Sequence, residues 1–235
     1  MATILNIETS GKICSVAISK DGAIEYQLED HDGMRHAEVL APFVEKCMQE
    51  LERKGDSLDA VAVSIGPGSY TGLRIGLSLA KGLAFSRGIP LIGVSTLQIL
   101  AVKAMFRNFD FTGEELLVPM IDARRMEVFT GVYDFALNEV EAPGAKILDK
   151  DSWNELLQQR KMCFIGDGSD KAREVIKSEN ALWIPGLVPV ARDMLALSEK
   201  HYREGQFIDI AYSTPEYLKE YQTTVPKERL NIQNK

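Results

Sequence analysis

The sequence predicts an α/β protein in two similar halves, each a mixed sheet opened by antiparallel strands and flanked by helices. Three observations carry that prediction. The chain opens with closely spaced strand patterns joined by tight turns. Residues 59–85 then read as strand, glycine-rich turn and helix. The second half repeats the opening arrangement, a strand ending in an acid, a short turn and another strand.

In order, residues 3–9 (TILNIET) and 13–19 (ICSVAIS) are strands separated by Ser10-Gly11-Lys12. Lys20-Asp21-Gly22 is a tight hairpin signal before a third strand over 23–29. A helix follows from about 35–37 to Gly55, because Val39, Leu40, Phe43, Val44, Cys47, Met48 and Leu51 recur at steps of three and four. Pro42 falls inside the pattern, so this helix either starts near Ala41 or bends there. Residues 59–65 are mostly Ala, Val and Ile, as in a strand covered on both faces. Gly66-Pro67-Gly68-Ser69 turns the chain into a helix over 71–85 whose apolar residues cover nearly the whole circumference. Such a helix needs burial on two sides, one against its own sheet and one read here as another protein chain. Gly72, Gly76 and Ala80 line one face and would let a foreign backbone come close.

A strand over 89–94 and a helix over 96–104 complete the first half. Residues 105–115 lack periodicity and place a boundary between domains 1–107 and 108–235. The second half reads as strands over 117–122 and 126–135, a helix over 152–159, a strand over 162–165, and helices over 169–177 and 189–203. A tail rich in Tyr, Thr and Pro follows from Gly205, extended against the body and expected to be mobile beyond about Thr224. Three consecutive strands with short turns, opening an α/β chain, resemble the start of a ribonuclease-H/actin-like domain.

Composition narrows the function classes. Hydrophobic residues make up 45% of the 235, enough for a real core. Arg74 and Lys81 interrupt the longest apolar stretch, and MATILNIETS has no basic leader, so a cytoplasmic protein is expected rather than a membrane or secreted one. Cys14, Cys47 and Cys163 lie far apart with no CxxC spacing and read as free buried thiols. A net charge of −7 argues against a chain that grips nucleic acid unaided. Arg124-Arg125, Lys219, Lys227, Arg229 and Lys235 are the only local basic accents, read as solvated charge or, alternatively, as part of an RNA-facing rim.

Candidate chemistry is sparse. The G-P-G-S-Y-T-G turn precedes a helix and could hold an anion, but it lacks a Walker ending and dinucleotide spacing, so a tight packing turn is the favoured reading. Ser69 and Tyr70 have no identifiable base. Glu8 and Asp122 end equivalent strands; they could hold Mg²⁺ with a nucleotide phosphate or act as acid and base, or simply cap turns. His31, His36 and His201 have no ligand spacing, so no metal site is expected, and His36 at a helix start reads as a surface or interface residue. Trp153 and Trp183 beside element boundaries read as packing residues. Neither a catalytic residue nor a cofactor emerges.

The segments ILNIETSGKICSVAI, RHAEVLAPFV, SIGPGSYTGLRIGLSLAKGLA, PLIGVSTLQILA and PEYLK carry a family resemblance across nearly the whole chain. It is similar to the dimerisation-subunit family of the bacterial tRNA threonylcarbamoyladenosine machinery, in the glycoprotease-like branch of the actin/Hsp70/sugar-kinase fold. The resemblance implies a non-catalytic scaffold that supports a transferring subunit, TsaD. That subunit moves a threonylcarbamoyl group to N6 of the adenosine following the anticodon, in tRNAs reading codons that begin with A. It further implies an ATPase, TsaE, in the assembly, a homodimer when the chain is alone, and contact with tRNA only through the assembly. TsaD holds a metal through a His-x-x-x-His pair; the corresponding positions here are Thr96 and Leu100, neither of which can replace an imidazole. The expected partner surface comprises His36, Val39, Leu40, Phe43 and Cys47 on one helix and Leu73, Gly76, Leu77 and Ala80 on the next. On that expectation Gly76→Arg or Leu77→Glu blocks association and leaves the fold intact. The alternatives are a nucleotide-dependent phosphotransferase or peptidase of the same fold using Glu8 and Asp122, and a homodimeric module unrelated to tRNA.

Overall fold

The structure, a computed structural model, describes residues 2–33, 35–107 and 111–219. β1 (Thr3–Glu8) pairs antiparallel with β2 (Cys14–Lys20), and β2 with β3 (Ala23–Asp30). Asp21 and Gly22, at φ 53° and 78°, supply the left-handed backbone that a two-residue hairpin turn needs. α1 (His36–Lys54) crosses over, and β4 (Ala60–Gly66) enters parallel to β1. α2 (Tyr70–Arg87) then returns the chain for β5 (Leu91–Ser95), parallel to β4. The sheet order is β3-β2-β1-β4-β5. α1 runs unbroken through Pro42, whose exposed position leaves water to satisfy the carbonyl that its missing N–H abandons. Gly55, at φ 70°, ends the helix.

After α3 (Thr96–Met105), the pattern repeats. β6 (Leu116–Asp122), β7 (Glu127–Tyr133) and β8 (Glu139–Ile147) form an antiparallel run. α4 (Asn154–Gln159) leads to β9 (Met162–Gly166), parallel to β6, and α5 (Ser169–Val175) to β10 (Ala181–Pro185), parallel to β9. The second order, β8-β7-β6-β9-β10, is the first order again. The molecule is therefore a duplicated ribonuclease-H/actin-like architecture of two open, mixed sheets with flanking helices.

Two strands escape the sequence reading. β8 carries Pro143 and Gly144, is mostly exposed and slips register against β7, so it lacks the alternation of a half-buried strand. β10 has only five residues. The predicted helix over 189–203 is instead a 3₁₀ turn, Ala191–Met194, followed by α6 (Leu195–Glu204).

α3 is the helix buried on both sides. Ile99 and Val102 pack with Ile4, Ala60 and Ala62 of the first sheet, and Leu97, Leu100, Ala101 and Ala104 with Leu117, Cys163 and Ile165 of the second. The chain then returns to its beginning. Met194 and Leu197 pack on the first sheet beside α3. Past Gly205 the backbone hooks around the β5 edge, Ile208 N–H donating to the Leu91 carbonyl at 2.9 Å and Glu216 N–H to Ile65 at 2.7 Å. Lys81 Nζ donates to the Ala211 and Ser213 carbonyls at 3.2 and 2.6 Å, so the edge strand is covered by the chain's own strap. Among the described residues no helix is long and apolar enough to cross a membrane. The expectation for residues beyond Thr224, with Lys227, Arg229 and Lys235, lies outside the described residues.

Candidate functional site: an open helix face beside a closed turn

The glycine-rich turn and α2 are seated on the β1–β2 turn. Ser69 Oγ caps α2 by accepting from Gly72 N–H at 3.2 Å, and Ser69 N–H donates to the Ser10 carbonyl at 2.7 Å. A Cβ added at Gly68 would lie 2.5 Å from Ser10 O, at Gly72 2.1 Å from Thr9 O, and at Gly76 2.2 Å from Thr9 Oγ1. The close-approaching backbone that the glycine spacing predicts is thus the chain's own, and the turn is a packing turn.

Burial within the chain separates the expected interface residues into two groups. His36, Leu40 and Cys47 on α1, and Leu73, Gly76, Leu77 and Ala80 on α2, are buried within this chain; only Val39 and Phe43 stay half-buried. The most apolar stripe of an amphipathic helix goes to its own sheet first, so a partner's share lies on what is left. Gly76→Arg and Leu77→Glu would strike the core. On α2 the remainder comprises half-buried Ile75, Leu79 and Leu83 with exposed Ser78, Gly82, Phe85 and Ser86. Gly82 has no atom within 4 Å of where its Cβ would be. A helix-interior glycine costs about 0.5–1 kcal/mol relative to alanine, and no contact within the chain requires this one. It was legible as the one α2 glycine off the Gly72–Gly76–Ala80 line.

The two strand-end acids do not work together. Glu8 is fully buried; its Oε1 accepts from Ser10 N–H at 2.7 Å, and burial outweighs the hydrogen bonding from Ser10 and Ser64 to push its pKa up to about 7. Asp122 is exposed and paired with Lys171; although partial burial opposes it, that ammonium and the Arg124 N–H at 2.8 Å hold the carboxyl below its usual range. Lys171 also holds the Arg125 and Glu127 carbonyls at 2.8 and 2.6 Å, so Asp122 braces the β6–β7 turn. Among the described residues no contact joins it to Glu8.

The remaining candidates pack. Thr96 and Leu100 are buried, Leu100 in the core with Tyr133 between α3 and the second sheet. His36 is bonded to the Gly11 backbone, and burial lowers its pKa. Cys14, Cys47 and Cys163 are buried free thiols, each pushed up to about 12 by burial. Trp153 and Trp183 stand 5.7 and 4.7 Å from the Phe164 ring, and Trp153 Nε1 donates to Glu141 at 2.8 Å. Lys219 pairs with Glu127 at 2.6 Å, while Arg124 and Arg125 are exposed at the β6–β7 turn.

Comparison with known proteins gives the chain its relatives. A family model described as TsaD: tRNA N6-adenosine threonylcarbamoyltransferase matches residues 32–233. The chain is 31% identical over 224 residues to the tRNA threonylcarbamoyladenosine biosynthesis protein TsaB of Bacillus subtilis, covering 92% of this chain and 94% of that protein. To the TsaB of Escherichia coli it is 31% identical over 226 residues, again 92% and 94%. The solved structure of YeaZ from Pseudomonas aeruginosa superposes with a TM-score of 0.78 at 28% identity, covering 93% of this chain and all of that one. Alike over nine-tenths of its length in sequence and in the arrangement of both sheets, the chain belongs to the TsaB (YeaZ) family.

Proposed function

We propose that the chain is the non-catalytic partner of TsaD in tRNA threonylcarbamoylation. It supports transfer of the threonylcarbamoyl group to N6 of the adenosine following the anticodon in tRNAs reading codons that begin with A. The near full-length match to TsaB proteins carries this reading. The partner surface is the outward face of α2, Ile75, Ser78, Leu79, Gly82 and Ser86, with Val39 and Phe43 of α1 beside it. Binding selectively to one arrangement of TsaD raises the population of that arrangement, so the chain can activate without supplying a reacting group. TsaE joins the assembly, tRNA is met only through it, the compartment is the cytoplasm, and the domains divide at 107/108 with α6 and the strap returning to the first.

Alone, the chain pairs with a second copy through the same surface. Exposed Glu38, Glu45 and Glu52 form an acidic stripe at seven-residue steps along α1, while α2 has no acidic residue and carries exposed Arg74 with Lys81, the latter half-buried and shared with the strap carbonyls of Ala211 and Ser213. An isologous contact sets each stripe against its opposite on the other copy.

Reconstituted transfer with TsaD and TsaE, with and without this chain, tests the function; transfer that proceeds equally without the chain would end the proposal. Gly82→Arg tests the surface. It is expected to weaken TsaD binding at least about ten-fold, roughly 1.4 kcal/mol, with circular dichroism unchanged and the melting temperature no lower than the parent's. Parent-like binding by that variant would move the interface off α2.

A further inference from the structure

On the face of the first sheet opposite α1 and α2 lies a groove of about 400 Å³ that the tRNA-modification reading does not use. The tip of the β2–β3 hairpin, the last turn of α3 and the start of α6 form it. Ile24, Val102, Leu195 and Ala196 give it an apolar lining. One wall holds the nearly buried pair Lys103–Asp193 at 2.7 Å. Lys103 also donates to the Val188 carbonyl at 2.9 Å, and Asp193 accepts from Val190 N–H at 3.0 Å. Those charges are answered within the wall.

Two guanidinium groups line the groove as well. Arg192 forms a long ion pair with Glu29 at 3.7 Å, beyond hydrogen-bond length, and Glu29 also contacts His31 at 3.0 Å. The Arg107 guanidinium is exposed and makes no ion pair or side-chain hydrogen bond among the described residues. Phe106, 78% exposed, stands next to it along the same groove. One unpaired and one loosely paired guanidinium, an aromatic ring and an apolar lining match the make-up of small-ligand sites, and the volume falls in their range. Guanidinium forks favour planar or tetrahedral oxyanions, and the ring favours another flat apolar surface.

We propose that this groove binds a small aromatic molecule bearing a carboxylate, sulfonate or phosphate. The ring lies on Phe106 and the apolar lining, and the anion is held by Arg107 and Arg192.

The probe is 8-anilinonaphthalene-1-sulfonate, titrated into the full chain and followed by fluorescence. One saturable equivalent is expected. Its affinity should fall at least about ten-fold in Arg107→Glu/Arg192→Glu and about three-fold in Phe106→Ala, and remain unchanged in Gly82→Arg on the far face. The uncharged N-phenyl-1-naphthylamine should bind at least about ten-fold more weakly than the sulfonate. Should charge reversal alter the circular dichroism, Arg107→Gln/Arg192→Gln takes its place with the same expected direction. Non-saturable binding, affinity indifferent to the arginine variants, loss in Gly82→Arg instead, or equal binding of the neutral dye would each overturn the assignment.

Discussion

Gly72→Ala is expected to destabilise the protein by about 3 kcal/mol, as overpacking against rigid surroundings does. The new Cβ would sit 2.1 Å from the Thr9 carbonyl oxygen, a backbone atom that cannot rotate aside. The neighbouring Ser10 carbonyl is fixed by Ser69 N–H at 2.7 Å, so the turn has little room to retreat. The gain in helix propensity, about 1 kcal/mol, offsets only part of this. At roughly 2–4 °C per kcal/mol for a chain of this size, the melting temperature should fall by about 6–12 °C. Gly76→Ala should cost about 1–2 kcal/mol, since it meets the Thr9 hydroxyl, which can turn. Gly82→Ala, in open space, should instead stabilise by about 0.5–1 kcal/mol. Urea melts of the three variants check the series; if Gly72→Ala behaved like Gly82→Ala, α2 would not be seated on the Thr9–Ser10 turn.

The second large effect is a pH dependence centred on Glu8. Burial raises its pKa from 4.5 to about 7. Between those values the folded chain keeps a proton that the unfolded chain has released, so Glu8 makes stability fall as pH rises through that window. A shift of this size corresponds to about 3 kcal/mol. Glu8→Gln fixes the neutral state and keeps the acceptor that Ser10 N–H uses. The variant should match the parent near pH 4 and exceed it at pH 8 by about 2–3 kcal/mol. Urea midpoints at pH 4, 6 and 8 decide the matter. If parent and variant run parallel across that range, the carboxyl is ionised in the fold with a countercharge or water on Oε2.

Much of the fold was legible because local signals agreed with it. Asp21-Gly22, Gly55 and the Gly66–Ser69 turn punctuate elements whose periods are clear, and the paired strand-end acids Glu8 and Asp122 betray the duplication. Duplication would also have found β8 and β10, which their own residues conceal: each holds the place of a first-half strand, β3 or β5. The site was less legible, for a physical reason. Periodicity says which side of α1 and α2 is apolar, but not how much of it the sheet consumes, and the sheet takes all but Val39 and Phe43 of the nine expected residues. Likewise an all-round apolar helix signals two buried sides without naming the second surface. For α3 that surface is the chain's own second sheet, while α2 keeps Ser78, Gly82 and Phe85 in solvent. The groove at Phe106, Arg107 and Arg192 gathers positions 85 residues apart, beyond any local pattern.

The wedging of α3 between the two sheets has a mechanical consequence. A hinge enzyme works by letting its lobes swing about a thinly packed joint. Here any swing must strip Ile99 and Val102 from one side of α3, or Leu97, Leu100 and Ala104 from the other, breaking close-packed contacts in either direction. That packing opposes relative movement of the two sheets, because α3 cannot leave one without losing apolar contacts to it.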